Sequence, residues 1–255
     1  WVTPYPPMDD VHVRRAIYMA LDKAKLCEVM NAGDDYYRPL ISHFVPENPG
    51  CLDAKKSVKP MPFDPAKAKE ELLASKYGES VLDMEINIIQ PNNDYVVEVG
   101  AIQKMLQDNL GLRNVKIRTE VIVDNTKPPF ATHLWPNNQG DNRPDSWFTL
   151  VNMPKTMMDH PAAPGEVIPR VTAPYEPDFM DMCNKIRDET DLAKRCQYTA
   201  ELYQAWVDRA YSIDLWTYDG GYLIAPWVKD LNICLDTTAY AWLSPGMETC
   251  WIAKR

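Results

Sequence analysis

Between Met84 and Val121 the chain changes its hydrophobic period twice, and this constrains the fold more than any other stretch. Met84, Ile86 and Ile88 alternate with Glu85 and Asn87, the two-residue period of a half-buried strand. Val99, Ile102, Leu106 and Leu110 then recur at three- and four-residue spacing, the stripe of an amphipathic helix, with Gly111 as its stop. Val115, Ile117, Thr119 and Val121 alternate with Lys116, Arg118 and Glu120 as a second strand. Strands joined through a helix of this length lie parallel, with a right-handed crossover. The expected core is therefore an α/β layer, helices packed on a sheet.

Helices are expected on both sides of this unit. Pro6-Pro7 ends an extended segment, Asp9 and Asp10 supply a cap and first-turn negative charge, and Val13, Ile17 and Leu21 fall on one face. This predicts one helix from about Asp10 to Met30, stopped at Asn31-Ala32-Gly33. The proline-rich stretch from Tyr36 to Met61 reads as surface loop. Asp64-Pro65 opens a short helix through Ala68, Leu72 and Leu73 that ends near Tyr77-Gly78. From Lys127 to Pro177 no period is sustained, and loops of such length are usually functional or mobile. A helical hairpin follows, Asp178 to Glu189 and Asp191 to Arg209, the second helix carrying Tyr198, Leu202 and Ala205 on one stripe with Trp206 beside it. Ser212 to Tyr218 reads as a strand, followed by the Gly220-Gly221 turn.

Composition excludes several function classes. A net charge of -9 without a Lys/Arg cluster argues against nucleic acid as a partner. No apolar run approaches the roughly 18 residues needed to span a bilayer. His12, His43, His133 and His160 show no metal-ligand spacing, and neither a glycine-rich phosphate loop nor a nucleophile elbow is present. No enzyme activity, catalytic residue, metal or cofactor is expected. Asp9-Asp10 and Asp34-Asp35 are read as caps and turns, and Tyr36, Tyr37, Tyr211 and Trp216 as packing residues. Of six cysteines, Cys183 and Cys196 could face each other across the hairpin, as a disulfide or as two small buried hydrophobes; Cys234 with Cys250 is a second candidate pair.

Four strings in order carry a resemblance: Pro6-Pro7-Met8-Asp9-Asp10-Val11-His12-Val13-Arg14-Arg15-Ala16-Ile17 with Ala20-Leu21-Asp22-Lys23; Pro62-Phe63-Asp64-Pro65-Ala66-Lys67-Ala68 with Leu72-Leu73; Glu189-Thr190-Asp191 through Lys194-Arg195; and Ser212–Tyr218 with Tyr222-Leu223-Ile224-Ala225-Pro226-Trp227-Val228-Lys229. Together the chain resembles the bacterial extracellular solute-binding proteins, family 5, the peptide/nickel class. The resemblance implies a periplasmic binding protein-like α/β fold. Residues 1–227 would form the second lobe, a mixed sheet flanked by helices, and 228–255 a return segment belonging to the first lobe. The N-terminal lobe would lie outside this chain, in a protein roughly twice this size. The implied function is the substrate-binding component of an ABC importer. It captures a peptide or similar small solute by closure of two lobes and delivers it to a membrane permease, with a periplasmic or extracellular location and membrane anchoring left open. The alternative is a non-transporting interaction or sensory module derived from the same lobe. Because half a clamp cannot enclose a ligand, the isolated chain is expected to bind weakly or not at all.

The expected site lies in Leu134-Trp135-Pro136-Asn137-Asn138-Gln139-Gly140-Asp141-Asn142-Arg143-Pro144-Asp145-Ser146-Trp147-Phe148. A solute cleft needs apolar walls and a few fixed polar groups, which an aromatic followed by a carboxylate supplies. The resemblance implies Trp135 as a cleft wall and Asp141 as partner of a ligand α-ammonium. Here the two stand farther apart than is usual in the family, and Arg143 replaces an acidic residue before the proline, so the ligand class stays open. Asn138 is an alternative anchor suited to a neutral ligand. Asp141 also fits a turn-forming role, Trp135 lobe packing, and Arg143 either a carboxylate contact or a solvated position.

Overall fold

The parallel strand pair is present in the computed structural model, which describes residues 6–31, 37–40, 51, 53, 56–90, 96–119, 134, 177–218, 228–229 and 251–252. In chain order the elements are α1 (Val11–Ala20), α2 (Lys23–Asn31), β1 (Tyr37–Pro39), α3 (Pro65–Ala74), a 3-10 turn at Gly78–Asp83, β2 (Ile86–Ile89), α4 (Val96–Leu110), β3 (Val115–Arg118), α5 (Pro177–Asp188), α6 (Leu192–Asp208), β4 (Trp216–Tyr218), β5 (Val228–Lys229) and β6 (Trp251–Ile252). β2 and β3 pair in parallel, Ile86 opposite Val115 and Ile89 opposite Arg118. α4 makes the crossover and ends where Gly111 adopts φ +76°, a conformation open to glycine at little cost.

Val99, Ile102, Leu106 and Leu110 of α4 bury against Ile86, Ile88 and Val115, together with Val13 and Ile17 of α1 and Leu72 of α3. Each such side chain contributes about 1.5–3 kcal/mol on burial, which holds the helices to the sheet. α3 begins as the Asp64-Pro65 pair predicts: the Asp64 carboxylate accepts from the Lys67 amide at 3.0 Å.

The single helix expected from Asp10 to Met30 is two. Asp10 caps α1 by accepting from His12 N–H at 2.8 Å, as the sequence suggests. Asp22, however, accepts from Lys25 N–H at 3.0 Å and starts α2, while Leu21 becomes extended at φ -96° and ψ 112°. Leu21 stays buried through the break, so the apolar spacing runs on unchanged. The 36–61 stretch also contains a strand, β1, antiparallel to β4 with Tyr37 opposite Tyr218. Gly33 lies outside the described residues.

The helical hairpin forms a second core of Phe179, Cys183, Ile186, Leu202, Tyr203, Trp206, Val207 and Tyr211. Asp191 caps α6, accepting from Lys194 N–H at 2.9 Å. The buried face of α6 is Thr199, Leu202, Tyr203, Trp206 and Val207, rotated from the Tyr198–Leu202–Ala205 stripe because α5 covers the aromatic side. Phe179, Trp206 and Tyr211 pack edge-on or tilted, with centroids 5.0–5.8 Å apart.

Arg14 joins the two cores. It is 1% exposed, donates to the carbonyls of Met8 (3.0 Å) and Arg209 (2.9 Å), and lies over the Tyr211 ring. A buried guanidinium is tolerable only when its N–H groups find such acceptors.

The expected Cys183–Cys196 pairing does not form. Cys196 is bonded to Cys51, 145 residues away in sequence, and Cys183 is a buried free thiol inside the aromatic core, where α5 packing turns it away from Cys196. The disulfide, the Val58 side chain and two hydrogen bonds between Gln204 and the Lys59 backbone fasten the segment before α3 onto α6. Cys234 and Cys250 lie outside the described residues.

Two outcomes follow. Arg14→Met, which leaves two carbonyls without their donor, should lower unfolding free energy by about 3 kcal/mol in urea melts. Reducing agent should destabilise the wild type by about 2–4 kcal/mol, while a Cys51→Ser/Cys196→Ser variant should already be destabilised and lose that part of the response.

Candidate functional site

β2 has a neighbour on each side. On one edge lies β3; on the other, Leu134 N–H donates to the Asn87 carbonyl (3.0 Å) and Ile89 N–H to the Leu134 carbonyl (2.9 Å), a parallel bridge opposite Ile88. The chain therefore moves outward from β2 to β3 and then returns across β2 to its far edge. Such a reversal is a switch point. In open α/β sheets ligands bind outside the carboxyl ends of the strands at that point, where adjacent connections leave in opposite directions. Leu134 is buried, and Trp135 is the next residue in the sequence. Trp135, Asn138, Asp141 and Arg143 themselves lie outside the described residues.

The sheet face opposite α4 carries a polar network beside the buried Ile89. Asn87, on the polar positions of the alternation, is nonetheless 1% exposed; its amide donates to Glu85 (2.9 Å) and its carbonyl oxygen accepts from Arg118 Nε (2.9 Å). Glu85 also pairs with Lys116 at 2.5 Å and Arg118 at 3.1 Å. The Lys116 bond above all, helped by Asn87 and Arg118, holds the Glu85 carboxyl down to about 2. This network fixes Arg118, the last residue of β3, at the carboxyl end of the sheet.

At the same end begins α4, and its first turn carries Glu98, which is 3% exposed. Burial pushes this carboxyl up to about 7. The sequence signal was present: Glu98 stands one turn before Ile102 and so on the packed side of the helix.

A third polar cluster joins α1, α2 and the run into β4. Lys23 Nζ donates to Tyr18 Oη (2.6 Å) and the Leu40 carbonyl (3.0 Å), while Trp206 Nε1 donates to Ser212, whose hydroxyl donates to Asp214 (2.6 Å). Burial brings the Lys23 ammonium down to about 8, opposed by the nearby Asp214 charge. Burial also raises the Cys27 thiol to about 11 and Cys183 to about 12, which disfavours the nucleophilic thiolate in both. Among the described residues no group of three metal-ligating side chains converges. Nor, among them, is any helix long and apolar enough to cross a membrane.

Residues 3–165 match the model of the bacterial extracellular solute-binding proteins, family 5, middle region. The chain belongs to this family. It is a family of solute-binding, non-catalytic proteins. No curated protein sequence matches. Solved structures similar to the chain include NikA from Brucella suis in complex with Fe(III)-EDTA, with a TM-score of 0.63 and 16% identity over 85% of this chain and 44% of that one. The murein tripeptide binding protein MppA of Escherichia coli gives 0.61 and 18% identity, over 100% of this chain and 47% of that one. DppA from Helicobacter pylori in complex with the peptide STSA gives 0.66 and 16%, over 85% and 40%. The fold is thus the periplasmic binding protein-like α/β fold, and the chain spans less than half the length of these structures.

The Glu85 network has a pH signature. A carboxyl held below its unfolded value of about 4.3 stabilises the fold above that pH, and the contribution is lost as pH falls toward about 2. Glu85 is partly exposed, so the effect should be below about 1 kcal/mol. Urea melts between pH 6 and pH 3 should show a shallower acid loss in Glu85→Gln than in wild type.

Proposed function

We propose that residues 1–227 are the second lobe of a two-lobed solute receptor serving an ABC importer, and that 228–255 belong to the first lobe. The observation that carries this reading is the Leu134 bridge. It sets Leu134, the residue before Trp135 in the sequence, in a parallel sheet on the far side of β2 from β3, which supports a cleft at that end. In this reading Trp135 supplies a cleft wall and Asp141 takes the ammonium of a peptide or similar small solute. Asn138 is the alternative anchor, suited to a neutral ligand, and Arg143 a further contact suited to a carboxylate. A carboxylate facing an ammonium in a partly dry cleft forms a charge-assisted bond, about twice as strong as its neutral counterpart.

Two further observations support the lobe assignment. Among the described residues Val228–Lys229 pairs only with Trp251–Ile252, apart from the other two strand pairs. The solved structures that align with this chain are about twice its length, and DppA is described with a bound peptide. The partner of the chain is then an N-terminal lobe that completes the cleft, and beyond it a membrane permease. The location is periplasmic or extracellular, which the Cys51–Cys196 disulfide favours because such bonds persist in oxidising compartments.

Calorimetry against a peptide library provides the test. This chain alone should bind more weakly than micromolar, and the same chain joined to its N-terminal lobe should bind at micromolar affinity or better. In the joined protein, Asp141→Asn should weaken a peptide with a free α-ammonium at least tenfold while leaving an N-acetylated peptide unchanged. Micromolar binding by this chain alone would contradict the two-lobe reading.

A further inference from the structure

Glu98 occupies the first turn of α4 between Val97, which is exposed, and Val99, which is fully buried in the sheet–helix core. Its Oε1 is enclosed and, among the described residues, has no hydrogen-bond partner. Other buried polar side chains are matched: Asp10 accepts from His12 and Lys76 amides, Ser75 donates to the Leu72 carbonyl, and Asn87 pairs with Glu85 and Arg118. An enclosed carboxylate without a donor is far less favourable than the neutral acid in the same place, because desolvation penalises the charged form. The amide dipoles of a helix N-terminus ordinarily favour a first-turn glutamate as an anion. Here enclosure outweighs them.

The elements packed against α4 bring many charges, and these are engaged elsewhere or act too weakly to matter. α1 contributes His12, Arg14 and Arg15, of which His12 pairs with Glu71 of α3 and the arginines with the carbonyls of Met8, Arg209 and Asp208. α2 contributes Lys23, Lys25 and Glu28, and α3 also Lys67, Lys69 and Glu70. At the sheet, Glu85 pairs with Lys116 and Arg118, and on α4 itself Lys104 pairs with Asp108. Burial is the one cause of the upward push on Glu98.

We propose that Glu98 is a proton-binding site: the protein folds with this carboxyl protonated, and loss of the proton loosens the start of α4 at the sheet end where Leu134 bridges β2. The direction is fixed by linkage. An unfolded glutamate ionises near about 4.3, and the folded one near 7. Unfolding therefore releases a proton between those values. The stabilisation is complete below the lower one and is lost as pH rises through the higher, the reverse of Glu85. Solution outside a cell, where this family acts, sets that pH.

Carboxyl carbon-13 NMR of glutamate-labelled chain tests this, with Glu98→Gln identifying the resonance. The expected result is one glutamate with a midpoint near 7 that is absent from the variant; a Glu98 midpoint near about 4.3 overturns the proposal. If the variant does not fold, through-bond assignment in the wild type still reads the midpoint. Hydrogen exchange of the first α4 amides, corrected for intrinsic rates, is the second readout. Wild type should lose protection between pH 6 and pH 8 while Glu98→Gln does not, and equal loss in both proteins overturns the proposal.

Discussion

The sheet is organised around the backbone of β2, which is paired in parallel on both edges. Four residues, Ile86 to Ile89, bind β3 on one side and meet Leu134 on the other. A strand enclosed in this way must be apolar on its helix-covered face, and Ile86 and Ile88 are. Its other face is also enclosed, so the polar side chain there needs partners, and Asn87 finds them in Glu85 and Arg118. The same pairing fixes where the connections leave the sheet. Parallel strands send their carboxyl ends the same way, so α4 begins and β3 ends at one rim.

Around this strand the molecule is held by a few long-range ties rather than by one continuous core. Arg14 connects the sheet–helix core to the aromatic core of the α5–α6 hairpin through two backbone carbonyls and the Tyr211 ring. The Cys51–Cys196 bond and the Gln204–Lys59 pair do the same for the segment preceding α3. These ties matter because the hairpin and the sheet are far apart in sequence, and closing such long loops without cross-links carries a large entropy term.

The parallel unit was legible because hydrophobic period reports directly on which face is covered, and the Asp64-Pro65 and Asp191 caps were legible because they are local chemistry. The break at Leu21-Asp22 was hidden because Leu21 is buried in its extended conformation too, so apolar spacing carries no mark of the interruption. β1 and the Cys51–Cys196 bond were hidden because each depends on a partner more than a hundred residues away, which spacing along the chain does not reveal. Of the proposed site, the sequence supplied the residue types in 135–143, which lie outside the described residues, and the structure supplies the position of Leu134 beside β2. Glu98 was hidden because an acid in the first turn of a helix reads as a solvated partner of the amide dipoles, and its burial depends on packing that apolar spacing does not report.

The central claim, that solute is met at the carboxyl rim of this sheet, is tested most directly by methyl NMR of the protein joined to its N-terminal lobe. Adding a peptide that binds should move the methyl resonances of Ile89 and Leu134 while leaving those of Ile86 and Val115, at the opposite end of the same strands, in place. Shifts confined to Ile86 and Val115, or binding that leaves all four unmoved, would contradict it.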